Sequence, residues 1–539
     1  MKETIYRYIW YILPCLALVT IGMNIWKAFR GIMMHDDAYY LFLLRDMPNI
    51  PQAAQYQNLF HNIWDGNIAA VKITGTLMDL LASLIFAFGL CKYLKIDGQK
   101  MYVNIASITY LAQSCFTILI TAISYVTLNR FIFLVAIGLI LWAMTIYSSY
   151  AKSFLYLLSG WLCGFILFVM ITNMPLVGIL LLFILIAENS TISRWSGTIC
   201  FVAGIVLAWI TYFTTAEPFN DYITHFTQVA DKALHGGIDP SHSIKGICLW
   251  IYQSITLFYL KDVVICSLVL LGGYHLWQKY KEGISTYKIF FLVIWIGTFL
   301  MACIYWRYDI WRKGYSVASV VPFMALYVIL FFQSLQNRSW KLNVLYTLLF
   351  FVPFFVSMGT DQTLKFRAHE YMCFLLPIIL IEVYRNFSKK YLLLLIGIVG
   401  VYWLTTTVKI SKGNWGWLVY TEQTKDIRTI GLQHLYVSTD VYNNLKSMQE
   451  IIKEDDRLAV SNNLSFGYMY LLGNKPLTWD LRQRDVYERL VNLQGDELKM
   501  IENQWYPYRE SYLDSIRIAL HKDTVLYYPY ADGRVIYFE

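Results

Sequence analysis

The chain has 539 residues, of which 57% are hydrophobic, 17% aromatic and only 15% charged, with a formal net charge of +8. A soluble protein carries about 25% charged residues, so this balance excludes an ordinary soluble domain and implies a polytopic membrane protein. The positive charge does not imply nucleic acid, because Lys and Arg sit mainly in short loops between apolar runs, where they set topology. All 9 cysteines lie in or beside hydrophobic segments, and none falls in the polar C-terminal region, so there is no disulfide framework to read.

In chain order, apolar runs of membrane length are expected at 8–29, 68–91, 103–122, 130–147, 152–172, 175–187, 195–214, 250–276, 287–306, 315–334, 340–358, 369–384 and 391–407, about thirteen spans. The first follows Lys2 and Arg7, lacks a small-residue cleavage site, and reads as an uncleaved span. Lys92, Lys95 and Lys100, then Lys279, Lys281 and Lys288, then Arg385, Lys389 and Lys390 occupy three short loops. Placing these in the cytoplasm puts the N-terminus inside and, with an odd number of spans, residues 408–539 outside. Loops 30–67, 215–249 and 359–368 fall on that outer side. The expected organisation is a transmembrane domain at 1–407 and a small extracytoplasmic α/β domain at 408–539, in a cytoplasmic (inner) membrane.

Within the C-terminal region, VYNNLKSMQEIIKEDD (441–456) reads as an amphipathic helix, RLAVSNN (457–463) as a strand and TVLYYPYADGRVIYFE (524–539) as a hairpin about Asp532-Gly533. In the outer loop 217–234, Phe219, Tyr222, Ile223 and Phe226 recur at helical spacing, with Asp221, His225 and Asp231 on the remaining face. Such a helix suits the membrane interface or a seat on the protein body. His235-Gly236-Gly237 follows as a break, and Tyr56, Leu59, Phe60 and Ile63 repeat the helical pattern before the second span.

Residues 33–48, MMHDDAYYLFLLRDMP, place His35, Asp36 and Asp37 directly after the first span, at the start of a predicted helix that includes Tyr39. Acids at a helix start are favoured by its free amides and dipole, and capping accounts for one of them. Two acids beside a histidine at the membrane surface exceed what capping needs. A carboxylate held by helix amides stays ionised, which suits a general base or a metal ligand. Outer-side cations, Arg307, Arg312 and Lys313, then Lys365, Arg367 and His369, run against the topology rule. They match a phosphate site or anionic lipid headgroups. Lys72 and Asp79 lie inside the second span, seven residues apart on one face, and read as a mutually compensating pair. SYVTLNR (124–130) reads as a polar outer turn in which Tyr125 and Asn129 are candidate substrate contacts. There is no Gly-rich phosphate loop, no H-E-x-x-H and no CxxC.

The stretch DDAYYLFLLRDM just outside the first span resembles the first-loop signature of the GT-C membrane glycosyltransferases, in particular their protein mannosyltransferase and aminoarabinose transferase branches. Motif-level similarity is confined mainly to residues 35–46, whereas the architecture matches over the whole chain. The resemblance implies a GT-C-like fold and transfer of a sugar from a polyprenyl-phosphate or polyprenyl-diphosphate lipid to a lipid, glycan or protein acceptor on the outer face, usually with inversion. It implies Asp36 as base and Asp37 as support, with Arg307, Arg312, Lys313, Lys365 and Arg367 holding the leaving phosphate by location and charge. This chain departs from the family pair in having Asp37 where Glu is usual. The oligosaccharyltransferase branch holds a divalent metal with acids from more than one loop. SYVTLN supplies none, and Asp36, Asp37, Glu217, Asp221 and Asp231 are the acids left for such a metal. The competing functions are a polysaccharide polymerase or ligase, and a lipid-linked substrate transporter or flippase. A transporter predicts repeat symmetry, and none is visible.

Overall fold

The computed structural model describes residues 2–32, 36–45, 63–116, 123–234, 323–331 apart from 325, 339–357, 368–386, 389–412, 422–428, 434–453, 456–460, 466–473, 498–503, 510–530 and 533–538, with single positions or pairs at 60, 248–249, 252 and 272. The helices are α1 (Lys2–Ala28), α2 (Asp36–Arg45), α3 (Ile68–Tyr93), α4 (Gln99–Phe116), α5 (Tyr125–Ala143), α6 (Ser149–Gly164), α7 (Met174–Ala187), α8 (Thr191–Thr215), α9 (Phe219–Leu234), α10 (Trp340–Ser357), α11 (Leu376–Asn386) and α12 (Lys389–Lys412). Among the described residues, four stretches are long and apolar enough to cross a membrane: Tyr8–Ala28, Ile68–Tyr93, Tyr125–Ala143 and Thr191–Thr215. Met174–Ala187, Trp340–Val356 and Tyr391–Val401 are shorter apolar helices. The spans expected at 250–276 and 287–306 lie almost wholly outside the described residues, as does most of 315–334 and of the helical pattern at 56–63.

The chain divides into two compact units. The first comprises 1–20, 78–118 and 125–407, and the second 21–77, 119–124 and 408–539. In the first, glycines set the spacing of the helices. A Cβ on Gly89 of α3 would lie 2.0 Å from the Gly138 carbonyl oxygen of α5, and one on Gly160 of α6 only 1.9 Å from that of Phe201 on α8. Gly164 meets Ala208 and Gly204 meets Leu157, so α6 and α8 run parallel in close backbone contact, with α7 returning between them in sequence. Small residues are what permit such approach in an apolar bundle. Local signals start two of these helices, the Ser148 and Ser190 hydroxyls capping α6 and α8.

The polar segment SYVTLNR is not a turn. Tyr125 opens α5, and residues 126–130 are all buried within its first turns. No Gly or Pro interrupts the segment, and its polar side chains meet partners inside the bundle, so the helix simply begins earlier than hydropathy indicates.

The second unit carries β1 (Lys425–Arg428) paired antiparallel with β2 (His434–Val437), then α13 (Thr439–Gln449). A four-stranded sheet follows in the order β3-β4-β6-β5, from β3 (Arg457–Val460), β4 (Leu498–Asn503), β5 (Val525–Tyr530) and β6 (Gly533–Phe538). Only β3–β4 is parallel, and β5 and β6 form a hairpin as predicted, but Gly533 already pairs with Tyr530 in the ladder, so the turn does not centre on Asp532-Gly533. Helices α14 (Phe466–Leu472) and α15 (Glu510–Ala519) complete the unit. Leu458, Met469, Met500, Ile501, Ile516, Val535 and Ile536 are fully buried in its core. The predicted helix at 441–456 is shorter, ending at Gln449, where Asp456 instead accepts the Lys453 amide and pairs with Lys499 at 2.5 Å.

Gly160→Ala is expected to destabilise the protein by about 1–3 kcal/mol, since the clash is with backbone. Gly397→Ala, where nothing lies within 4 Å, is expected to be neutral or stabilising. Thermal unfolding of the two variants in detergent measures the contrast.

Candidate active site

The acidic pair lies in the second unit, and the chain leading to it is fixed before the helix begins. The Tyr436 amide of β2 donates to the Phe29 carbonyl at 3.0 Å, and the Gly31 amide donates to the Tyr436 carbonyl at 2.7 Å. The Arg30 guanidinium donates to the Gln423 carbonyl at 2.8 Å and lies 4.5 Å from the Trp26 ring centre and 5.0 Å from that of Tyr436. Gly31 has φ of +62°, a conformation that disfavours any side chain. Its carbonyl accepts a 2.7 Å hydrogen bond from the Lys72 ammonium on α3.

Helix α2 then opens at Asp36, as the acidic start predicts, so Asp36 and Asp37 both belong to its first turn. The free amides and positive dipole of that turn favour carboxylate ions. Ala38, Leu41, Phe42 and Leu44 are buried. At the far end the Phe42 ring meets Tyr470 of α14 edge-on at 4.9 Å, and the buried Arg45 guanidinium lies 4.4 Å from the Tyr470 ring centre. The Tyr470 hydroxyl donates to the Gly66 carbonyl at 3.0 Å. Asp65 and Gly66 take φ of 47° and 71°, the tight turn before α3, and the Asn67 side chain caps α3 by accepting the Ala70 amide at 2.9 Å.

Lys72 and Asp79 are not the compensating pair that the spacing predicts. Seven residues are two helical turns, about 10 Å of rise, and each side chain has a nearer partner. Lys72 is 2% exposed and bonds Gly31, which brings a buried positive charge to the chain that leads into the acids. Asp79, in the first unit, binds Arg130 of α5 through both oxygens at 3.1 and 3.2 Å. Gln113 of α4 donates to the Asp79 carbonyl at 2.9 Å and to the Ser83 hydroxyl at 2.7 Å. Glu370, Tyr371 and Cys373 lie within electrostatic reach of Arg130. The signal for this centre was present: Arg130 closes a polar segment that no breaker interrupts, one helical pass away from a lone intramembrane acid.

His35, Arg307, Arg312, Lys313, Lys365 and Arg367 lie outside the described residues. Tyr39 falls within α2 and His369 within a 3₁₀ segment, Ala368–Phe374. Tyr125 is half-buried at the start of α5, and Asn129 is fully buried with its amide nitrogen 3.8 Å from the Met170 sulfur. The helix predicted in the outer loop forms as α9, with Tyr222 buried against Phe168 and Phe213 while Phe219, Ile223 and Phe226 remain exposed. Glu217 is buried and accepts the Tyr212 hydroxyl at 3.0 Å, and Asp221 is exposed. Burial and the nearby Glu217 carboxylate raise the Tyr222 phenol above its ordinary value. Among the described residues, no cluster of three or more His, Cys, Asp or Glu side chains is arranged to hold a metal.

No protein-family model matches the chain, and no curated protein does. Solved structures of the Archaeoglobus fulgidus oligosaccharyltransferase are similar to it in outline. The apo form is 10% identical, covering 98% of this chain and 74% of that one, with a TM-score of 0.49. The complex with zinc and sulfate is 11% identical over 97% of this chain and 72% of that one, with a TM-score of 0.48. The form tethered to an acceptor peptide containing the NVT sequon is 11% identical over 98% and 74%, with a TM-score of 0.48.

Removing one partner of the Asp79–Arg130 pair strands a buried charge. Arg130→Met alone is expected to cost about 3–5 kcal/mol, and adding Asp79→Leu to recover much of it. A double-mutant cycle in thermal unfolding reads the recovery, and additive losses would dissolve the pair as a unit.

Proposed function

We propose that this chain is an integral membrane glycosyltransferase. It transfers a sugar from a polyprenyl-phosphate-linked donor to a lipid, glycan or protein acceptor at the extracytoplasmic face. The observation that supports this reading is the placement of Asp36 and Asp37 in the first turn of a clamped helix, immediately after one membrane-length helix and shortly before the next. The basic residues also support the orientation. Lys152 and Arg194 gather on Glu188, Lys341 reaches Asn189, and Arg385 bonds the Leu94 carbonyl, so basic side chains collect where α6, α8 and α10 begin and α3 and α11 end. With those ends in the cytoplasm, the chain between α1 and α3 lies outside.

Outside the cytoplasm an activated sugar arrives on a lipid, and a catalytic group at the bilayer surface meets its headgroup. In this reading Asp36 accepts the proton of the acceptor hydroxyl as that oxygen attacks the anomeric carbon. The bond from that carbon to the phosphate oxygen breaks, and polyprenyl phosphate leaves with the electron pair. A single displacement inverts the anomeric centre. Asp37 caps the helix and supports its neighbour. Arg307, Arg312, Lys313, Lys365 and Arg367 neutralise the charge growing on the leaving phosphate. His35, Tyr39, Tyr125, Asn129 and His369 are assigned to the sugar and acceptor.

Asp36→Asn is expected to lower transfer from a polyprenyl-linked donor by about 10²–10⁴-fold, the usual worth of a general base, without changing the unfolding temperature. Transfer at the normal rate in that variant would remove Asp36 from the role. Arg367→Ala is expected to raise the donor KM, measured with the same substrate. An unchanged KM would return Arg367 to the lipid headgroups.

A further inference from the structure

Residues of the C-terminal region grip the acid-bearing segment at two points, and these contacts have no evident purpose in a domain that merely decorates the outer face. The first grip is the backbone exchange between Tyr436 and Phe29–Gly31, five residues before Asp36. The second is Tyr470, which is 1% exposed and touches Phe42 and Arg45 with its ring while its hydroxyl holds Gly66. Ten residues of α2 span about 15 Å. Packed along Ala38, Leu41, Phe42 and Leu44, a helix of that length moves as one piece, so the hold on its end at Arg45 bears on where its first turn points.

We propose that Tyr470 is a positioning residue for the transfer reaction, holding α2 so that the Asp36 carboxylate stands in line with the acceptor hydroxyl. The proposal rests on the reading of Asp36 as base. Its geometry is specific. One aromatic side chain bridges the C-terminal end of α2 and the turn that starts α3, and so fixes the acid helix against the helix that carries Lys72. Arg45 contributes the cation over the ring, a pairing that is strongest where water is excluded. A displacement of about 1 Å at a reacting group costs on the order of 10²-fold in rate, so loss of this contact acts on turnover before it acts on binding.

The experiment uses the full-length protein in lipid nanodiscs and compares Tyr470→Leu with Tyr470→Phe. Tyr470→Leu is expected to reduce kcat about 10²-fold, to leave the donor KM within about twofold, and to accelerate hydrogen exchange of the backbone amides of residues 36–45. Tyr470→Phe keeps the ring against Phe42 and Arg45 and gives up only the hydroxyl bond to Gly66, so it is expected to lose about tenfold in kcat, less than Tyr470→Leu. Wild-type kcat in Tyr470→Leu overturns the proposal. So does unchanged exchange of 36–45, or equal loss of kcat in the two variants. Failure of the underlying reading shows separately, as undiminished transfer by Asp36→Asn, because the exchange measurement needs no catalysis.

Discussion

The need to satisfy every charge in an apolar medium governs the described bundle, and the Arg130–Asp79 pair shows it most directly. An isolated ion there would cost many kcal/mol, and attraction between the two offsets that only when further hydrogen bonds complete the shell. Asp79 is bound through both oxygens, and Gln113 and Ser83 close the polar surface around its backbone. The other buried carboxylates are treated alike. Glu188 takes Tyr156 and Lys152, Glu382 takes Tyr346 and Asn386, and Glu217 takes Tyr212. The contacts of Asp79 with Arg130, Glu188 with Tyr156 and Glu382 with Tyr346 fix one helix against another, whereas Glu382–Asn386 and Glu217–Tyr212 are local, and the glycine approaches at Gly89 and Gly160 hold the same spacing.

The same constraint shapes the second unit. Lys72, Arg45 and Arg30 are three cations that the segment between α1 and α3 and its flanking helices bring against carbonyls and aromatic faces. Aromatic rings accept a guanidinium without presenting a second full charge. Tyr436 holds the chain before α2, and Tyr470 packs on its C-terminal end.

Much of this was legible from residue order. Membrane-length runs, the helix opening at Asp36, the amphipathic α9 and the hairpin of β5 and β6 all carry local signals, in periodicity, acidic starts or turn residues, although Gly533 pairs in the ladder and lies outside the turn. The start of α5 was misjudged because polar residues in SYVTLNR were weighed as if exposed, and hydropathy does not record that Arg130 meets Asp79 from a helix 51 residues away. Lys72 was misassigned for the related reason that a shared helix face says nothing about a partner from another segment. Nor does any pattern link Tyr470 to Arg45, since Tyr470 sits in an ordinary apolar helix and its role depends on packing between stretches some 400 residues apart.

That separation explains why the acid helix needs an external frame. Ten residues are too few for a helix to hold itself in water, and its propensity does not compensate, with Tyr39, Tyr40 and Phe42 among its members. What α2 has is an apolar set, Ala38, Leu41, Phe42 and Leu44, buried within the second unit, where α14 offers Tyr470 as a partner. The acidic pair after the first apolar helix therefore sits on a segment whose course is set in part by residues 408–539. Loops that connect membrane helices tolerate change because little depends on their exact course. This one is held by β2 and α14, so a change at Tyr436 or Tyr470 reaches the segment that carries Asp36 and Asp37.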